Sequence, residues 1–267
     1  MSRSERTNHV FLWVWTITVL LFIYLPVLCD ALSSFSKSRY FMFPIKVWSA
    51  EWWSKTFNSM EISSLVSNSV LIAVVVTIIS TVIAFCGALA FSRFDWSGRK
   101  LFQKIILLPV FFPQPVLGLA LLLWFNALGI QLSWVTAVFA HLVWITPVVT
   151  LVIAIQVYGF DPALEDAARD LGASRWQILT KVTIPVLWPG IWSGLLFAFL
   201  LSWGNFPLSL YSTGVDNTVP KWLFSKMVAG YSPMVPTLGT MSTIGAAGIM
   251  IIGGIISTLV KRRHHKD

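Results

Sequence analysis

Charge is what this sequence has least of. Asp, Glu, Lys and Arg make up 11% of its 267 residues, against 56% hydrophobic residues. An ordinary soluble domain carries about 25% charged residues. The eleven carboxylates are almost absent from the apolar runs, which argues against a self-sufficient proton- or sodium-coupled carrier, since such carriers rely on intramembrane acids. Two cysteines, Cys29 and Cys86, fall in or at the end of apolar runs, so neither a disulfide framework nor a thiolate metal site is indicated. There is no G-x-x-x-x-G-K-[ST] phosphate loop, no H-E-x-x-H and no G-x-S-x-G. The chain therefore has no evident route of its own to ATP, to catalytic zinc or to serine chemistry. His141 is the one histidine inside an apolar run. It serves there either as a proton relay or as a neutral, hydrogen-bonded core residue. A membrane-embedded enzyme would need a cluster of such groups, and one is missing.

What is present is apolar sequence in blocks long enough to cross a bilayer, which takes roughly 20 residues of helix. Six spans are expected, at 10–29, 65–91, 101–126, 134–157, 186–203 and 238–260, in one transmembrane domain covering 1–267. Lipid forces each spanning backbone to satisfy its own hydrogen bonds, so all of them read as helices despite their Val and Ile content. The first run ends in Pro26-Val27-Leu28-Cys29-Asp30, without the small residues a signal peptidase needs, and is expected to stay as a span. Residues 30–64 are aromatic (Phe35, Tyr40, Phe41, Phe43, Trp48, Trp52, Trp53), as suits headgroup-level anchors and short interfacial helices. The third span carries Pro109, Pro113 and Pro115 and the fourth Pro147. Prolines free carbonyls, so these helices are expected to be kinked and to line a path or pack inside the bundle. Gly190 and Gly194 stand in G-x-x-x-G spacing on the fifth, which lets another helix come close.

Six crossings put both termini on one side. Placing them inside collects Arg3, Arg6, Arg93, Arg99, Lys100, Lys104, Arg169, Arg175, Lys181, Lys261, Arg262, Arg263 and Lys266 there. Only Lys37, Arg39, Lys46, Lys55, Lys221 and Lys226 remain outside, of 19 basic residues in all. That bias puts both termini in the cytoplasm. It also accounts for the net charge of +8 without nucleic acid as a partner.

The longest polar, helix-favouring stretch is DPALEDAARDLGASRWQILTKVTIP, from Asp161 to Pro185. Asp161-Pro162 reads as an N-cap followed by proline at the first helical position. Gly172 supplies the stop, and Ser174 with Gln177 forms a capping box opening a second short helix. Two short amphipathic helices joined at a glycine bend, held on the cytoplasmic face, suit a docking knob. An ordinary loop with incidental helices is the competing reading. A membrane chain with kinked helices, no energy source and such a knob is expected to borrow work from a partner.

This element resembles the signature of the integral-membrane subunits of bacterial ABC importers, E-A-A-x-x-x-G-x(9)-I-x-L-P. It runs here as Asp166-Ala167-Ala168, Gly172, Val182-x-Ile184-Pro185 with every spacing kept. Asp166 stands where the family usually has Glu, and Glu165 sits beside it. The likeness extends over roughly residues 60–260, through Leu108-Pro109 to Pro113-x-Pro115-Val116-x-Gly118, and Thr218-Val219-Pro220 looks most like the spermidine/putrescine-type permeases.

The resemblance implies an all-α polytopic fold of six transmembrane helices, the type I ABC importer permease fold, with a cytoplasmic coupling-helix loop at 161–183. It implies a transport subunit, not an enzyme, of the bacterial inner membrane. No cofactor is implied in this chain; ATP and Mg belong to two partner ATPase subunits. A second permease subunit, different from this one, and an external solute-binding protein complete the set. The coupling residues implied are Glu165, Asp166, Ala167, Ala168, Arg169, Asp170, Gly172 and Arg175. Path residues are expected among Pro113, Pro115, Ser202, Trp203, Asn205 and Phe206. Polyamine-carrying relatives commonly place acids near Gly204-Asn205, whereas 202–207 here holds none. The solute is accordingly polyamine-like, or a neutral, zwitterionic or anionic small molecule. A non-transporting receptor or scaffold is the alternative function, and it leaves the spacing of the central motif unexplained.

Overall fold

Backbone that cannot hydrogen-bond to solvent closes on itself, and this chain does so by helices. The computed structural model describes residues 3–38, 40, 42 and 44–264. Arg39, Phe41, Phe43, His265 and Lys266, invoked above, lie outside the described residues, as do the side chains of Arg3, Arg6 and 261–263. The helices are α1 (Arg3–Ser33), α2 (Glu51–Phe57), α3 (Met60–Arg93), α4 (Arg99–Leu107), α5 (Gln114–Ala127), α6 (Trp134–Tyr158), α7 (Ala163–Asp170), α8 (Arg175–Ile178), α9 (Ile184–Trp203), α10 (Pro207–Ser212), α11 (Val219–Ala229) and α12 (Met234–His264). Among the described residues the only extended pairing is an isolated bridge between Ser36 and Trp48.

Among the described residues, five helical stretches are long and apolar enough to cross a membrane, Phe11–Ser33, Met60–Arg93, Trp134–Tyr158, Arg175–Trp203 and Met234–Thr258. A sixth crossing is made if the bent pair Arg99–Phe111 and Gln114–Ala127 counts as one. That pair corrects the single kinked helix expected over 101–126. A 3-10 turn at Leu108–Phe111 ends α4, and Phe112 is extended (φ −84°, ψ 134°), the conformation that a following proline imposes on its neighbour. Pro113 and Pro115 then open α5 at 101° to what precedes it. Pro147 and Pro189, by contrast, sit inside α6 and α9 without ending either.

The chain divides into two compact units. In the first, residues 1–63 with 223–247, the apolar stretch of α1 is exposed on all sides. A helix apolar all round and left uncovered by its own chain belongs in lipid or against another subunit. Asp30, placed by the sequence just beyond the first span, lies within α1 because that helix runs on to Ser33. The aromatic segment folds locally: Phe35 stacks on Trp53 at 5.2 Å, and the Trp53 indole N–H donates to Ser34 Oγ.

The second unit, residues 64–222 with 248–267, holds the core. Its centre is α6, whose Ile145, Val149 and Ile153 are fully buried with Val76 and Ala84 of α3 and Leu187 and Ala198 of α9. The G-x-x-x-G pair makes the α6–α9 approach possible. A Cβ on Gly190 would stand 2.5 Å from Gln156 Cβ, and one on Gly194 would stand 2.8 Å from Ile153 Cγ1. No other residue fits at that separation.

Candidate functional site

Three features of the sequence shape the 161–183 segment. Asp161 Oδ1 accepts the amide of Ala163 at 2.9 Å, and Pro162, with no N–H to satisfy, leads into α7. Gly172 ends that helix in the left-handed region at φ +83°, where a side chain is strained. Ser174 and Gln177 then form the reciprocal capping box, Gln177 Oε1 receiving Ser174 N–H at 2.8 Å and Ser174 Oγ receiving Gln177 N–H at 3.3 Å. The second helix is not a separate short one, however. It passes through a π-helical turn at Leu179–Thr183 into α9, giving one continuous stretch from Arg175 to Trp203. Pro185 causes this: it has no N–H for the next α-helical bond, and a wider turn absorbs the gap. The helix that carries the fifth span therefore begins at Arg175, eleven residues before Val186, and takes in the second part of the loop.

Along α7 and the bend, Asp166, Ala167, Arg169, Asp170, Gly172 and Arg175 are exposed, and Glu165 and Ala168 half-buried. Asp166 pairs with Arg169 at 2.7 Å on the surface, which contributes little by itself. Glu165 is the residue that ties the loop down: its Oε1 accepts from Thr183 Oγ1 at 2.7 Å, across from α7 to the π turn. The tip is apolar and uncovered, with Leu171 89% and Trp176 71% exposed. A Cβ on Gly172 would meet nothing within 4 Å. Nothing in the residue order signals the Glu165–Thr183 contact, because no local pattern announces the π turn that brings Thr183 round.

The residues expected on a solute path are split by the fold. Pro113 and Pro115 are exposed at the bend before α5. Trp203 is half-buried and stacks on Phe199 at 6.1 Å, and Phe206 is also half-buried. Ser202 and Asn205 are buried, and their polar groups are engaged within the chain. Asn205 Oδ1 caps Leu208 N–H at 3.0 Å. Ser202 Oγ and Ser209 Oγ lie 2.9 and 3.1 Å from Nδ1 and Nε2 of His141. Since Ser209 donates its proton to the Asn205 carbonyl at 2.6 Å, it accepts from Nε2–H. Nδ1 then accepts from Ser202. His141 is thus a neutral core residue with both nitrogens matched.

The 204–237 segment is anchored by the same logic. Asp216 Oδ2 accepts the amide of Trp134 at 2.9 Å, Ser69 Oγ accepts that of Val219 at 2.8 Å, and Thr136 Oγ1 donates to the Ser212 carbonyl at 2.7 Å. Lys221 Nζ donates to Thr213 Oγ1 and to the Gly214 carbonyl. Burial lowers its affinity for a proton, with nearby Asp216 opposing.

A multi-pass helical chain with a polar helix and glycine turn leading into its fifth span defines a membrane permease of the type I ABC importer fold. The family model described as "binding-protein-dependent transport system inner membrane component" matches residues 81–266, and the chain belongs to that family. The spermidine/putrescine transport system permease protein PotC of Haemophilus influenzae is 28% identical over 258 residues, which cover 96% of this chain and 98% of that protein. The putrescine transport system permease protein PotI of Escherichia coli K12 is 30% identical over 265 residues, 95% and 92% of the two chains. Among solved structures, a bacterial ABC transporter that imports the acidic polysaccharide alginate matches with TM-score 0.74 at 15% identity, over 96% of each chain. The methionine transporter MetNI, inward facing, matches with TM-score 0.60 at 17% identity, over 76% of this chain and 99% of that one.

Proposed function

We propose that this permease subunit forms the path for a small solute delivered by an external binding protein, and that its 161–183 loop receives work from a separate ATPase. The observation that carries this is the exposed α7 helix with the open bend at Gly172, after which α8 runs through the π turn into α9. In this reading Ala167 and Ala168 let a partner surface come close. Gly172 supplies the turn, and Asp166, Arg169, Asp170 and Arg175 set the register. Displacing α7 displaces α9 with it, because the second half of the loop is the start of that helix. Nucleotide bound by the partner shifts the balance between inward- and outward-open states by its differential affinity for the two.

Both termini and the loop face the cytoplasm in this reading, two ATPase subunits hold the ATP and Mg, and the second permease is a different chain. The relatives named for spermidine and putrescine favour a polyamine-like solute. The absence of any carboxylate from 202–207 favours leaving recognition of its charge to the binding protein or the second permease.

The test is purification of the assembled complex with its ATPase, followed by reconstitution. Wild type and Gly172→Asn, which tolerates a left-handed φ, are expected to retain ATPase and to show hydrolysis stimulated by binding protein and solute. Gly172→Val is expected to insert in the membrane and lose both. Undiminished uptake in Gly172→Val would remove the docking role.

A further inference from the structure

A cavity of about 590 Å³ opens beside the coupling loop within the second unit, between the end of α3 and the turn that joins α7 to α9. Arg93, the last residue of α3, is its most unusual member. Its guanidinium lies 4.3 Å from the centroid of the Phe160 ring, and its Nε and Nη2 are buried without any hydrogen-bond partner. Arg169 and Arg175 line the same cavity. Arg169 is paired with Asp166, whereas no ion pair among the described residues involves Arg93 or Arg175. Glu165 is the single carboxylate in the wall, and one of its oxygens is already taken by Thr183. Positive charge therefore exceeds negative, and buried donors on a cation are costly to leave without an acceptor.

Apart from the hydroxyls of Ser92 and Thr183, the remaining wall is apolar, chiefly Leu89, Ile178 and Leu179, with Phe94 exposed at the rim. It lies where one helix long and apolar enough to cross a membrane ends, at Arg93, and another begins, at Arg175. The exposed Trp176 beside it is the residue type that sits among headgroups. Planar guanidinium groups match a phosphate in two-pronged fashion. Basic pockets between spanning helices on the cytoplasmic side hold anionic headgroups.

We propose that this cavity binds the phosphate of an anionic phospholipid, with Arg93 as the principal donor and an acyl chain along Leu89 and Leu179. The lipid bridges the end of α3 to the coupling loop. Free inorganic phosphate offers the same chemistry without the chain. Only the effect on coupling rests on the function proposed above; the binding does not.

The experiment uses the complete importer in phosphatidylcholine vesicles with and without phosphatidylglycerol, comparing wild type with Arg93→Gln and Arg93→Lys. Labelled phosphatidylglycerol is expected to bind wild type about tenfold more tightly than Arg93→Gln, the loss of one charge-assisted pair, with Arg93→Lys between them. Lys104→Gln, which changes a basic residue outside the cavity, is expected to bind like wild type. Stimulation of ATP hydrolysis by phosphatidylglycerol is expected in wild type and absent in Arg93→Gln. Equal lipid affinity in wild type and Arg93→Gln overturns the proposal. So does displacement of the lipid by inorganic phosphate alone, or its exclusion once the ATPase is bound. Arginine-dependent lipid binding in a complex whose Gly172 variants transport normally would leave the site standing and remove the docking role.

Discussion

Glycine stands at the centre of two regions of this molecule for opposite reasons. At the α6–α9 crossing, Gly190 and Gly194 are there because no space exists: an added Cβ would be 2.5 to 2.8 Å from Gln156 and Ile153. At the coupling bend, Gly172 has open space around it and is there for its φ of +83°. The first region is closed by its own chain and sterically specified. The second is exposed, with apolar Leu171 and Trp176 uncovered. A packed junction transmits displacement because it cannot be compressed, and an open bend receives it. In the function proposed above, the two together would make a lever with a rigid arm and a free end.

The sharpest way to break this contrast is to enlarge the closed side. Gly194→Leu, and equally Gly190→Leu, forces α9 away from α6 and is expected to cost about 3 kcal/mol or more, at the upper end of overpacking. The measurement is the yield and monodispersity of membrane-extracted protein, with the melting midpoint of whatever survives. A variant as stable as wild type would mean that the crossing is looser than the geometry requires.

His141 probes the same closed region through polarity instead of volume. His141→Leu leaves Ser202 and Ser209 each short of a partner, at about 1–3 kcal/mol. His141→Gln, able to meet one of them, is expected to recover part of that loss. A melting series in detergent decides it, and indifference to both changes would deny the network any weight.

On the open side, Gly172→Val is expected to lower stability by only about 1–2 kcal/mol, the strain of a left-handed side chain, while Gly172→Asn stays near wild type. If Gly172→Val unfolds the protein as Gly194→Leu does, the two regions are not distinct.

The smallest effect is that of Lys221 at the anchored 204–237 segment. Its proton affinity in the folded chain lies below the ordinary value of 10.5, so the native state releases that proton before the unfolded chain does. The unfolded state then binds more protons, and Lys221 contributes stability that rises as pH climbs from its lowered pKa towards 10.5. The melting midpoint of wild type is expected to gain on that of Lys221→Met over that alkaline interval. A constant difference between the two would assign Lys221 its hydrogen bonds alone.

How far the molecule can be read in advance differs between these regions. The capping box at Ser174 and Gln177, the turn at Gly172 and the close approach at Gly190 and Gly194 were legible, because each depends on a few neighbouring residue types. The 101° break at Phe112–Pro113 was foreseen only as a kink, since a proline tells where a helix is weakened but not how far it turns. The π turn at Leu179–Thr183 was missed altogether. It answers Pro185 from the N-terminal side, and a helix ending there was locally just as reasonable. The partner of Ser202 was equally hidden, for His141 lies 61 residues away and is brought to it by packing, whereas Asn205 caps Leu208 three residues on, by a local rule.

By itself, the amino-acid order determined the helical class, the apolar blocks, the polar element at 161–183 and the family signature within it. These follow from hydropathy, caps and residue intervals, all local quantities. Tertiary structure alone decided that the loop's second half is the root of α9, and that Glu165 reaches Thr183. It also decided that Arg93 is left with buried, unanswered donors. Those outcomes depend on which distant surfaces meet at van der Waals distance, and no interval along the chain encodes that.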